Sequence, residues 1–354
     1  MSLPPKSLTG RSIAGQLRFG IFDHIDDAGV PLARLYEDRL RLAELYDRAG
    51  FYAYHCAEHH GTPLGLAPSP AVWLASLAQR TTRLRLHAMV FVLPLYDPLR
   101  LIEDICMLDQ MSEGRLGMGI GRGVSPLETG FFGVDEEEGR ARYEEALEVI
   151  RTGLTSATLT YSGRFYRYED VPMTLRPVQR PHPPMWLGIG YPEKAAWAAA
   201  HDVNVVGLLP ADPMRPITDR YRAEWEALGK PAADLPLIGL NRNIVLADRE
   251  DEALAIGRRA FAPWRRALDH LWDLHGVVSP LEGKMPHDFD EFRAAGLAYA
   301  GTPDGAREYV AEQCERAGAN YLCADVAFGD IAFEEAARTV ELFAEQVMPA
   351  FSGP

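Results

Sequence analysis

The sequence predicts an α/β chain folded as a (β/α)8 TIM barrel with insertions, and three observations carry that prediction. Strand and helix signals alternate from residue 17 almost to the end of the 354 residues, and eight such units can be counted. The strand segments are unbroken apolar runs rather than in/out alternations, the pattern of a parallel sheet covered on both faces. No linker-like stretch divides the chain, whose length a single barrel reaches. A doubly wound open sheet is the alternative, because a strand count does not prove closure.

The elements follow in order. "LRFGIFD" (17–23) is the first strand, and a helix over about 33–49 places Leu35, Leu42, Leu45 and Ala49 on one face before Gly50 stops it. The aromatic run "FYAYHCA" (51–57) is the second strand; Ser69 and Pro70 open the helix 69–80 as N-cap and first helical residue. "RLRLHAMVFVL" (83–93) is strand three, and Leu101, Ile105 and Leu108 mark a helix ending near Gly114. "RLGMGIG" (115–121) is strand four and 137–154 its helix. The polar, aromatic "YSGRFYRYEDV" (161–171) interrupts the rhythm as a small hairpin. Strands then fall at 185–190, 203–209 and 235–247, with helices at about 192–201, 213–228 and 250–270. Residues 271–300, with scattered Gly, Pro, Asp and His, read as a lid insertion. A helix (303–318), strand eight (320–328) and a last helix close the chain, and residues 1–16 read as a loose leader to one domain, 1–354.

Composition excludes several classes. Apolar residues make up 47%, enough for a large core. A net charge of −14 without a basic stripe argues against nucleic acid and anionic membrane surfaces. Cys56, Cys106, Cys314 and Cys323 form no CxxC, as in a reduced, cytoplasmic protein. No apolar stretch reaches the length of a membrane span.

The chemistry gathers at predicted strand ends. "YHCAEHHG" (54–61) puts His55, Glu58, His59 and His60 where strand two enters its loop, the end of a barrel strand that carries catalysis. A metal site fits poorly: there is no HExxH, strand one offers only Asp23 and His24, and neighbours on a strand point to opposite faces. A hydrogen-bonded strand end without chemistry remains the plain alternative. "GMGIGRG" (117–123) follows a strand, but no G-x-G-x-x-G fits, since positions 122 and 124 are Arg and Val. Its glycines suit close approach of a flat ligand or a neighbouring backbone. Arg122 then stands at a strand end, placed for a phosphate or for an ordinary surface ion pair. "GIGYPEKAAWAAA" (188–200) ends strand five in Gly188 and Gly190; Pro192 opens a helix whose free N–H groups, with Lys194 one turn on, form an anion site.

With these residues assembled, "AEHHG…SPAVWLASLAQRTTRLRLHAMVFVLPLYDPLRLIEDICMLDQMSEGRLGMGIGRG…FFGVD" resembles the bacterial luciferase-like, flavin-dependent monooxygenases. So do "GTPDGAREYVAEQCERAGANY" and "VELFAEQVMPAF". The likeness runs over nearly the whole chain and is most specific in 57–135. It implies a luciferase-like barrel with reduced FMN at its C-terminal mouth. There O2 would react through a flavin hydroperoxide with a small organic substrate. It implies His59 as the essential histidine, with Glu58 beside it to orient or raise it, Arg122 on the FMN phosphate and Glu128 as a further cofactor residue. It also implies a non-proline cis peptide at Met89-Val90 against the flavin, a separate flavin reductase and a homodimer. Two places depart from the pattern, at four positions: Gly121 stands where luciferase has a reactive cysteine, and Gly190, Tyr191 and Lys194 replace its phosphate-binding polar residues. Three rivals stay open: a deazaflavin-dependent dehydrogenase on the same barrel, a flavin-binding relative without turnover, and, more distantly, a metal hydrolase.

Overall fold

The computed structural model describes residues 17–351. Residues 1–16, read as a leader, lie outside them. Eight parallel strands form the barrel: β1 (Arg18–Asp23), β2 (Ala53–Cys56), β3 (Arg85–Ala88), β4 (Leu116–Gly121), β5 (Met185–Gly188), β6 (Asn204–Gly207), β7 (Ile238–Leu246) and β8 (Tyr321–Asp325). Each pairs with its successor, and β8 returns to β1 with Arg18 opposite Tyr321. The β6–β7 ladder, Ile238 opposite Val205, leaves no gap in the ring. The open-sheet alternative is thereby removed. β2 and β4 are buried along their whole length and β7 at all nine positions, as continuous apolar runs require.

The helices are α1 (Leu32–Ala49), α2 (Pro70–Arg80), α3 (Pro98–Met111), α4 (Pro126–Phe131), α5 (Glu136–Thr155), α6 (Pro192–Ala200), α7 (Ala211–Ala227), α8 (Glu250–His275), α9 (Phe289–Ala294), α10 (Pro303–Ala317) and α11 (Phe333–Leu342). The main apolar core lies between strands and helices. A second cluster, with Phe22, Trp186, Leu237 and Tyr321, fills the barrel itself. His55 and His87 pack there against Trp186, ring centroids 4.7 and 4.9 Å away. All four cysteines are buried and free. Among the described residues no helix is long and apolar enough to cross a membrane.

Two expectations need correction, and a third resolves between its alternatives. The segment 271–300 is not one long loop. Helix α8 continues through His275, where Gly276 ends it at a φ of 62°. Helix α9 and a strand, Ala298–Gly301, occupy most of the rest, and that strand pairs with Asn243–Leu246 of β7. Connecting backbone is left mainly at 277–288. Second, α4 was missed, although Ser125-Pro126-Leu127-Glu128 carries the S-x-x-E signature of a helix start. The Ser125 hydroxyl accepts from the Glu128 N–H at 3.3 Å. Of the two readings of the β4 glycines, close approach of neighbouring protein is the one observed at Gly117 and Gly119. A Cβ at Gly117 would sit 2.2 Å from the His87 ring, and one at Gly119 1.9 Å from the Ala88 carbonyl oxygen. The hairpin is present as expected, Thr158–Ser162 against Arg167–Pro172.

Candidate active site

The Met89-Val90 peptide is cis. The strand line resumes at Phe91–Val92, paired with Ile120 and Gly121 of β4. Val90 lies against Gly121, where a Cβ would come within 2.1 Å of its Cγ2. A cysteine in place of that glycine would collide with this wall.

The three histidines of 54–61 diverge. His55 points into the barrel, its Nε2 2.8 Å from the Tyr321 hydroxyl. His59 turns its Nδ1 to Glu128, 3.1 Å from Oε1. His60 turns its Nε2 to Glu58, 3.1 Å from Oε1, and stands edge-on to Phe132. A carboxylate accepts only, so Nδ1 of His59 carries the hydrogen and Nε2 is the nitrogen left for chemistry. The loop can turn this tightly because Gly65 passes beneath His59, where a Cβ would lie 2.7 Å from the His59 Cβ.

The carboxylate that holds His59 is Glu128 and not Glu58. Glu58, expected to orient its neighbour His59, faces the other way. Besides His60 it accepts from the Val92 N–H at 3.0 Å and the Tyr96 hydroxyl at 2.8 Å. Burial, and then Glu58 itself, push the Tyr96 phenol far up, so it stays a donor. Glu58 thus ties the loop after β2 to the segment after the cis peptide. Glu128, expected as a cofactor residue, is the carboxylate that holds His59, with its second oxygen accepting from the His60 N–H at 2.8 Å.

Across the mouth stand three cations. Arg122 follows β4, Arg140 lies in the first turns of α5 and Lys194 in the first turn of α6. Desolvation, then the guanidiniums of Arg122 and Arg140, lower the Lys194 pKa, which places the three within electrostatic reach of one another. Among the described residues none of them is ion-paired to a carboxylate, although the chain is acidic overall. Tyr191 precedes α6 without a side-chain cap, leaving the first N–H groups of that helix free of one. A Cβ at Gly188 or Gly190 would meet no atom within 4 Å, so both border open space. These donors fit a phosphate monoester. Arg140 was missed from sequence because it reads as one more polar residue on a helix face.

A concavity of about 680 Å³ lies elsewhere, a groove between α5 and α6 lined by Tyr143, Leu147, Leu187 and Trp197; it shares only Lys194 with the mouth. Beside His59 there is a narrow slot walled by Glu58, Val92, Leu95, Gly123 and Glu128. Volume does not mark the chemistry here, because the paired imidazoles and carboxylates line the slot and not the groove.

The imidazole–carboxylate pair and the cation cluster both lie at the C-terminal mouth of a closed barrel, the end where barrel enzymes carry their chemistry. The family model "Luciferase-like monooxygenase" matches residues 17–321. An uncharacterised protein of Sinorhizobium fredii is 43% identical, over 95% of this chain and 98% of its own. The oxygenase component of the flavin-dependent trigonelline monooxygenase of Acinetobacter baylyi is 26% identical, over 95% and 96%. The crystal structure of the monooxygenase RslO1 from Streptomyces bottropensis superposes with a TM-score of 0.84 at 31% identity, covering 95% of this chain and all of that one. The chain belongs to the luciferase-like monooxygenase family and is an oxidoreductase.

Proposed function

We propose that the chain is the oxygenase component of a two-component system. It takes reduced FMN from a separate reductase and O2, and oxidises a small organic substrate in the cytoplasm as a homodimer. The observation that carries this reading is the pairing of His59 with Glu128 at a mouth whose far side holds Arg122, Arg140 and Lys194 without carboxylate partners. The flavin-dependent relative, an oxygenase component by name, supports the choice of cofactor and the need for a reductase.

Arg122, Lys194, Arg140 and the first N–H groups of α6 would hold the phosphate, and Met89 and Val90 would back the ring. Bound reduced FMN would supply the electrons that activate O2, one oxygen atom going to substrate and the other to water. Glu128 fixes the tautomer and direction of His59, so that Nε2 gives and takes back a proton where negative charge develops. Glu58 acts through the loop it anchors. Val92 and Leu95 line the slot and limit water there.

Anaerobic titration with reduced FMN, reduced riboflavin and a reduced deazaflavin tests this. FMN should bind tightest, by about tenfold or more over riboflavin, the scale of a charge-assisted phosphate contact. Preferred binding of the deazaflavin, with hydride transfer and no O2 consumption, would replace the reading by a dehydrogenase.

A further inference from the structure

Beside the mouth, where β1 and β8 end, lies a group of buried charges that the reaction above does not use. Asp23, Asp26 and Asp325 are no more than 2% exposed, and the one guanidinium among them is Arg39. Arg39 stands 3.6 Å from Asp23 and 3.5 Å from Asp26. Asp23 accepts from the Ile25 N–H at 2.8 Å and the Tyr54 hydroxyl at 3.0 Å. Asp26 accepts from the Gly329 N–H at 2.5 Å. Asp325 is served least well: its Oδ1 accepts from the Ala327 N–H at 3.4 Å, and its Oδ2 has no partner.

Facing that oxygen, 3.7 Å away, is Nδ1 of His24, also buried and without a partner. Leaving two buried polar atoms unpaired is costly, so a hydrogen between them is the economical arrangement. Either group could supply it, and the surroundings decide which. One guanidinium cannot balance three carboxylates in a dry site. Burial, then Asp23, raise Asp325 to about 8, with Arg39 opposing. Burial, then His59, lower His24 to about 3, so its ring is neutral, accepting at one nitrogen and donating at the other. Nδ1 is therefore the nitrogen able to accept and the Asp325 carboxyl the group able to donate, once the 3.7 Å between them closes to hydrogen-bond length. Nε2 of His24 is not among the buried unpartnered atoms, and the side chain keeps 13% of its exposure, so this nitrogen is the one left for an outside partner. The His24 ring is 5.8 Å from that of His59, centroid to centroid, and is held edge-on by Phe22 and Trp264.

We propose that Asp325 and His24 form a buried proton store and relay serving His59. The Asp325 O–H breaks as an N–H forms at His24 Nδ1. In the same event the His24 Nε2–H breaks and its proton passes to an acceptor in the mouth, His59 Nε2 or an anion bound there. The His24 ring stays neutral and ends in its other tautomer. Asp325 is left as a carboxylate near Arg39, and one proton has moved. Reprotonation runs the same path backwards. His24 and Asp325 are positioning residues that act through His59. That a proton is wanted there rests on the oxygenase reading, but the pair itself does not.

The groups facing the pair are Asp23 from β1, Asp26 from the loop after it, Arg39 and Tyr46 from α1, and His59 from the loop after β2. Trp264 of α8 adds an uncharged wall.

Two measurements test the pair. The first needs no flavin: imidazole nitrogen NMR of histidine-labelled protein, with His24→Gln assigning the resonance. The relay requires the Nε2–H tautomer for His24 and a shift tracking one titration near pH 8 that Asp325→Asn removes. A proton on Nδ1, or ordinary titration of His24 in the mid-range, overturns it. The second is the pH profile of turnover. Asp325→Asn should lower kcat about tenfold, less than loss of the primary acid–base group would, remove an alkaline limb near pH 8 and leave KM unchanged. An unchanged profile overturns the relay. Should Asp325→Asn not fold, His24→Gln must give the same kcat loss and the same flattened limb. A parent protein without oxygenase activity defeats the proposed function alone, and the NMR result still decides the pair.

Discussion

The two sides of the barrel mouth differ in how their charges are met. Around the loop after β2, carboxylates are enclosed by donors: Glu58 takes three, and Glu128 reaches over from α4 to take two. On the side of β4 and β5, Arg122, Arg140 and Lys194 stand together without a carboxylate among the described residues. A chain with net charge −14 could have neutralised them cheaply. The Glu58 and Glu128 pairings are made within the protein itself. The second side is complete only with an anion from outside.

Removing His59 should break the comparison most severely. His59→Ala is expected to lose roughly 10²-fold or more in turnover, the scale of an acid–base group, with FMN affinity nearly unchanged. Unchanged turnover would remove the proton-handling side from the account. Arg122→Ala should do the converse. Loss of a charge-assisted contact of about 1.5–3 kcal/mol weakens FMN binding about ten- to hundredfold, while riboflavin affinity stays level. Equal weakening for both ligands would place the phosphate elsewhere.

The two glutamates sharpen the contrast within one side. Glu58→Gln should lower the melting temperature, because three donors lose a charged acceptor, a change of about 1–3 kcal/mol. Glu128→Gln should leave melting nearly level and reduce turnover. The reverse pattern would return Glu58 to the role its sequence position first suggested. Stability against pH probes the buried acids. Asp26 and Asp325 are raised to about 8 by burial, so the folded chain binds these protons more tightly than the unfolded one. The stability they lend is complete below about pH 4 and is lost as pH rises through about 8. Asp325→Asn cannot lose a proton, so its melting temperature relative to the parent should climb between about pH 5 and pH 9. A flat difference would mean that Asp325 titrates normally. The smallest expected effect is proteolytic: cuts should concentrate in 277–288, the connecting backbone left of the expected lid, and slow when FMN is present.

The barrel strands were legible because a buried parallel strand is a continuous apolar run whatever its neighbours. The short α4 was less so: its start signal was present, but Glu128 spends its side chain on His59 and His60 rather than on the helix start. Glu58 misled because adjacency in sequence suggested contact with His59, whereas the loop turns and gives that contact to a residue 69 positions away. Arg140 and Asp325 matter only through partners on other elements, which local pattern does not carry. The cis peptide at Met89-Val90 came from family resemblance, since nothing in "HAMVFVLP" marks it.

The most direct test is a crystal structure with FMN bound. The account predicts the phosphate within hydrogen-bond distance of Arg122, with Lys194 and Arg140 beside it, and the ring in the mouth facing Nε2 of His59. A flavin seated in the groove between α5 and α6, or a phosphate away from Arg122, would contradict it.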